Sequence, residues 1–187
     1  MGSCNSSGKG NSIFGFGAEG IDAKIIPDLP ARMNKLYNGN RMSMQHTMET
    51  FEKEHANSTS EHLIALDDDG FVSTYQHGGK HSVGFTLDQV EGKHIVHNHP
   101  SGSHFSHTDL ENLSTTGMKG VTATSKSGYR YTATKTQKFN GTEWQKALSN
   151  AKTGKEIKTM DDYNTALHNW MSRNASKYGV EYTRTKI

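Results

Sequence analysis

The run His97-Asn98-His99-Pro100-Ser101-Gly102-Ser103-His104-Phe105-Ser106-His107-Thr108-Asp109 gathers side chains that can hold a metal ion. On an extended strand, residues two apart point to the same side, so His97 and His99 project together. Pro100 and Gly102 end the strand and turn the chain. Ser106 and Asp109 lie three apart at an expected helix start, where their side chains return to one spot. Two imidazoles and one carboxylate form a catalytic-type zinc set with a fourth position left open, whereas structural zinc sites are more often closed by four ligands, many of them Cys. The only cysteine is Cys4, far from this run. The competing reading makes Ser106-His107-Thr108-Asp109 a helix cap and the histidines polar residues at a strand end. For an isolated His-x-His that reading prevails. Here the two histidines, the turn and the Ser-x-x-Asp fall in one short run, which favours the metal. His104 and His107 read as surface histidines without an assigned role.

His-x-His-Pro, a short linker and Ser-x-x-Asp together resemble the signature of the JAMM (MPN-plus, JAB-domain) metallopeptidases. His-Asn-His-Pro-Ser-Gly is similar to the RadC-like branch and to JAB-type domains of phage and mobile-element proteins. Six residues separate His99 from Ser106, one fewer than in many eukaryotic deubiquitinases of the family. The resemblance is sharp over 97–109 and loose over about 58–135.

This resemblance implies Zn2+ held by His97, His99 and Asp109. It also implies a catalytic Glu on an earlier strand, for which Glu61 is the best match; Glu49, Glu52 and Glu54 lie on an expected helix and fit less well. The implied reaction is zinc-dependent hydrolysis of a peptide or isopeptide bond by a metal-activated water. Glu61 would carry the proton, and the Ser106 hydroxyl would stabilise the oxyanion. The partner would be a protein or peptide substrate, ubiquitin-like proteins among them. Two alternatives are a RadC-like protein of DNA metabolism and an accessory protein that uses the fold for interaction.

The elements that must position these residues can be read from pattern and punctuation. Residues 1–28 are rich in Gly, Ser and Asn and read as a disordered arm; residues 29–187 read as one domain. Ala31 to Ala56 is helical in pattern, broken near Gly39-Asn40, with Met44, Met48 and Phe51 on one face. Glu61–Leu66 and Phe71–Tyr75 read as a strand pair around Asp67-Asp68-Asp69-Gly70. That acidic turn lacks the 12-residue ligand spacing of a calcium loop. Ile95–Asn98 is a strand, Asp109–Thr116 a helix, and 121–125 with 129–134 a hairpin. The C-terminal portion reads as helical, with Trp144 and Leu148 on one face and Leu167, Trp170 and Met171 on another. This order predicts an α/β fold, a mixed sheet flanked by helices; the resemblance implies the JAB/MPN, cytidine-deaminase-like variety.

The formal net charge of +2, from 21 basic and 19 acidic residues, supplies no footprint for nucleic acid. No apolar run approaches the length of a membrane span, and no signal peptide opens the chain. Met1-Gly2-Ser3-Cys4 formally fits a myristoylation pattern, but a flexible small-residue tail is the simpler reading. The expected location is the cytoplasm.

Overall fold

A computed structural model describes residues 13–16, 24–26, 44–68, 72–151 and 159–187. Its elements are β1 (Ile13–Phe16), β2 (Lys24–Ile26), α1 (Met44–His55), β3 (His62–Leu66), β4 (Val72–His77), β5 (Val83–Thr86), the one-turn α2 (Leu87–Val90), β6 (His94–His99), α3 (His107–Thr115), β7 (Gly120–Ser125), β8 (Tyr129–Lys135), α4 (Gly141–Ala151), α5 (Met160–Asn174), a 3-10 turn (Ala175–Tyr178) and β9 (Val180–Lys186). Among the described residues these form a seven-stranded sheet in the order β2-β4-β3-β6-β7-β8-β9 and a two-stranded sheet β1-β5. The chain is therefore α/β with a mixed sheet: β6 and β7 run parallel, and the other neighbours are antiparallel.

The parallel pair requires a crossover, and α3 supplies it. The histidines thus end β6, and Asp109 opens the helix that follows. Because β6 is central and both faces of the sheet are covered, all six of its residues are buried. On one face Leu63, Ile95, Val121 and Ala133 pack against Leu110 and Leu113 of α3, Trp144 and Leu148 of α4, and Leu167 and Met171 of α5. On the other, Ile64, Leu66 and Val96 pack against Phe51 of α1, with Met44 and Met48 at its margin. Each fully buried Leu, Ile or Phe contributes about 1.5–3 kcal/mol. A buried fork from Arg130 to Glu52, with Nη2 to Oε2 at 2.7 Å, ties α1 to β8.

The Met44-Met48-Phe51 face, the β3–β4 pair, the β7–β8 hairpin and the helix after the histidines agree with the sequence pattern. Two readings need correction. Residues 13–16 and 24–26, inside the expected disordered arm, pair as strands with β5 and β4. Averaging composition over a Gly/Ser-rich stretch hides short apolar patches such as Lys24-Ile25-Ile26. The rest of 1–28, the expected helix before 44 with its break at Gly39-Asn40, and the tip of the acidic turn lie outside the described residues. The C-terminal portion, read as helical, closes with β9 on the sheet edge. Its polar Glu181-Tyr182-Thr183-Arg184-Thr185-Lys186 suits an edge strand, which keeps polar side chains in water. Among the described residues no helix is long and apolar enough to cross a membrane.

Candidate metal centre

The period of two along β6 puts His97 and His99 on the face covered by α3. Their Nε2 atoms stand 2.8 Å apart. Asp109 completes the cluster, with Oδ1 3.4 Å from His97 Nε2 and Oδ2 3.4 Å from His99 Nε2. All three residues are buried. They form the one group of three or more His, Cys, Asp or Glu among the described residues with metal-holding geometry, one ligand atom from each lying within 4.8 Å of the others.

Local hydrogen bonds hold Asp109 and His99 in place. Ser106 caps α3: its Oγ accepts from Asp109 N at 3.1 Å, and Asp109 Oδ2 accepts from Ser106 N at 2.5 Å. This reciprocal capping box is the same structure as the competing reading of the sequence. The helix cap and the metal reading therefore share these residues, and the cap aims the carboxylate at the histidines. His99 Nδ1 faces the carbonyl of His104 at 3.0 Å, which leaves Nε2 for a ligand role.

Charge in the cluster is tightly coupled. Burial opposes ionisation of Asp109, but the two histidines overcome it and hold its carboxyl well below the usual range. Burial also opposes a charge on His99, but Asp109 and Glu61 outweigh it and push His99 up to about 9. His97, fully buried, is shifted down by burial.

These residues fit a tetrahedral cation. Ligand atoms about 2.0–2.1 Å from zinc stand about 3.3 Å apart; each Nε2 has one Asp109 oxygen near that distance, Oδ1 for His97 and Oδ2 for His99. The His–His edge would open by about half an ångström. Asp109 Oδ1, buried, has no hydrogen-bond partner, as expected of an atom reserved for a ligand.

Glu61 immediately precedes β3. The β3–β6 register sets Leu63 opposite His97, so two residues further along Glu61 comes opposite His99 on the same face. Its backbone is held by Gly78 and Gly79: Gly78 N donates to Glu61 O at 2.9 Å, and Glu61 N donates to Gly79 O at 2.7 Å. A Cβ on Gly78 would lie 2.0 Å from the Ser82 carbonyl oxygen, so only glycine permits this approach. Glu61 is buried, with Oε2 unpaired. Burial pushes its carboxyl up to about 8; His99 opposes the shift and Asp109 adds to it.

All five sequence-identified residues therefore lie in one region: His97, His99 and Asp109 in the cluster, Ser106 as the cap, and Glu61 just before the neighbouring strand. Three features escaped the sequence reading. Asn98, between the two histidines, points to the opposite face. Its Oδ1 accepts from His62 N at 2.6 Å and its Nδ2 donates to Ser60 O at 2.9 Å, gripping both neighbours of Glu61. Gln76, paired with Leu63 on β4, is fully buried, and neither amide atom has a partner. His104, read as a surface histidine, is fully buried. His107 is less so and lies 2.6 Å from Glu111 on α3. A pocket of about 500 Å³ opens beside α1, lined by Lys53, Asn98, His99, Pro100 and Lys126 among others. Of the candidate cluster only His99 lines it.

Within this geometry the three residues could hold a metal ion, with the Glu61 carboxyl, raised by burial, on the neighbouring strand's side. No family model, no characterised protein and no solved structure matches the chain.

Proposed function

We propose that the chain is a zinc-dependent hydrolase of peptide or isopeptide bonds, with a site of the JAMM type in a JAB/MPN-like fold. The observation that carries this reading is the placement of Glu61 opposite His99, beside a buried two-histidine, one-aspartate ligand set. A purely structural metal site has no use for a buried acid at its side, whereas hydrolysis needs a group that both takes and gives a proton.

His97 Nε2, His99 Nε2 and Asp109 would hold the ion. Bound there, zinc would supply Lewis acidity toward water and a carbonyl oxygen. Glu61 would be the proton carrier: ionised beside a bound dication, it would take a proton from the attacking water and return it to the leaving amine. Ser106 Oγ accepts from the Asp109 N–H, so its own O–H stays available to donate to the oxyanion. One such donor is worth about 3 kcal/mol. Asp109, bound to the backbone of Ser106, keeps its oxygens toward the histidines.

The test is incubation of zinc-loaded protein with a panel of peptides and isopeptide-linked ubiquitin-like conjugates, alongside supercoiled DNA. The reading expects cleavage of a peptide or isopeptide bond, inhibited by phenanthroline and absent in His97→Ala. Chelator-sensitive DNA nicking with peptides left intact would overturn the assignment and favour a role in DNA metabolism.

A further inference from the structure

The loop between His99 and Ser106 does more than join strand to helix. Three of its oxygens gather at His99 Nδ1, the His104 carbonyl at 3.0 Å, the Ser103 hydroxyl at 3.1 Å and the Ser103 carbonyl at 3.3 Å, and together they turn Nε2 toward the cluster. Residue 104 is held in turn by the C-terminal elements. His104 N donates to Asn164 Oδ1 of α5 at 2.8 Å. The His104 ring contacts the Tyr182 hydroxyl of β9, 2.7 Å from Nε2, and the same hydroxyl lies 2.8 Å from His168 Nδ1 on α5.

The direction of these bonds is determined. Phe105 N donates to His104 Nδ1 at 2.6 Å, so Nδ1 is an acceptor and Nε2 carries the hydrogen. His104 therefore donates to Tyr182, and Tyr182 donates to His168. Burial keeps His104 neutral, with its pKa pushed down to about 3, which agrees with that tautomer. Its ring also packs 4.0 Å from the ring of Tyr131 on β8. The backbone and ring of one loop residue are thus both fixed from segments about 60 and 78 residues away in sequence.

We propose that Asn164 and Tyr182 are positioning residues of the metal centre: the α5–β9 unit fixes His104, and through the Ser103 and His104 carbonyls on either side of it the ring of His99. This rests on the metal reading above. Outer hydrogen-bond partners of a metal-ligating histidine typically control affinity by 10–100-fold. Neither residue is in the ligand cluster, and neither lies in the 97–109 run. The C-terminal unit would then complete the site rather than only extend the sheet.

The experiment uses the full chain as wild type, Asn164→Leu, Asn164→Asp, Tyr182→Phe and Leu148→Ala. Leu148, buried in the core on α4, serves as a control for stability loss alone. Zinc affinity is measured by competition with a chromophoric chelator, and ligand geometry by the visible spectrum after cobalt(II) substitution. Asn164→Leu and Tyr182→Phe should weaken zinc binding by tenfold or more and alter the cobalt spectrum. Asn164→Asp keeps the acceptor oxygen and should stay within threefold of wild type. Leu148→Ala should melt earlier yet bind zinc within threefold. Should Asn164→Leu fail to fold, Tyr182→Phe decides alone. Wild-type affinity and spectrum in the variants that fold would overturn the inference while the metal reading stands. Absence of zinc binding by the wild type would remove the metal reading itself.

Discussion

Asn98 Oδ1 accepts a hydrogen bond from His62 N at 2.6 Å, bridging a strand of candidate ligands to the strand that begins at the candidate base. The same amide donates to Ser60 O at 2.9 Å, so Glu61 sits between two gripped neighbours. Asn98→Ala leaves the half-buried His62 N–H and Ser60 carbonyl without this partner, which costs about 1 kcal/mol. Its side chain points away from His97 and His99. The expected result is a lower melting temperature and turnover reduced tenfold or more, with zinc affinity within a few-fold of wild type. Affinity and kinetics measured on the same preparation check this, and a loss of zinc equal to that of His99→Ala would contradict it.

Glu61 gives a prediction that needs no substrate. Its carboxyl is near 8 in the folded metal-free protein against an ordinary value of 4.5. A carboxyl raised on folding favours the folded state below the lower value and disfavours it as pH climbs toward the higher one. Glu61→Gln removes that penalty. At pH 8 the metal-free variant should be more stable than wild type, on the order of 2 kcal/mol. At pH 4 the two should match. The variant should also hold zinc and lose turnover, since the proton carrier is not a ligand. Denaturant unfolding at the two pH values, plus metal analysis, settles it; retained activity would assign the proton transfer elsewhere.

The ligand set was legible in the sequence because its geometry is local. A strand's period of two aligns His97 with His99, and the cap spacing returns Asp109 toward Ser106. Glu61 was legible because it opens a clear strand, although its distance from His99 depends on the strand register. Asn98, Gln76 and Tyr182 were not. Their roles come from contacts across the sheet, such as Asn98 with His62 at a separation of 36 residues and His104 with Tyr182 at 78. No local pattern encodes those. β9 escaped for a related reason: an edge strand needs no apolar face of its own, and only pairing with β8 identifies it.

His94 supplies the pH dependence on the acid side. Its ring is buried against Gly120, where an added Cβ would lie 2.6 Å from Nδ1, and its Nε2 lies 2.8 Å from Thr122 Oγ1. Burial lowers its pKa from 6.5 to about 4. The unfolded chain therefore takes up a proton at a higher pH than the folded one. Stability should fall as pH drops from about 6.5 to about 4, by up to about 3 kcal/mol from this residue. His94→Gln should flatten that part of the profile. His104, also neutral and buried, shifts stability in the same direction, so a residual slope is expected. Unfolding free energies across pH 4–8 for both proteins measure it, and identical slopes would contradict the assignment.

Zinc content tests the central claim most directly. The purified 187-residue chain, loaded with zinc and passed through a desalting column, should retain about one equivalent per chain, as a three-ligand site requires. His97→Ala, His99→Ala and Asp109→Ala should each retain far less under the same treatment, while Glu61→Gln retains the wild-type amount. Elemental analysis of the five proteins reads this in one experiment. Wild-type protein that emerges without zinc, or ligand variants that keep it as well as wild type, would contradict the account.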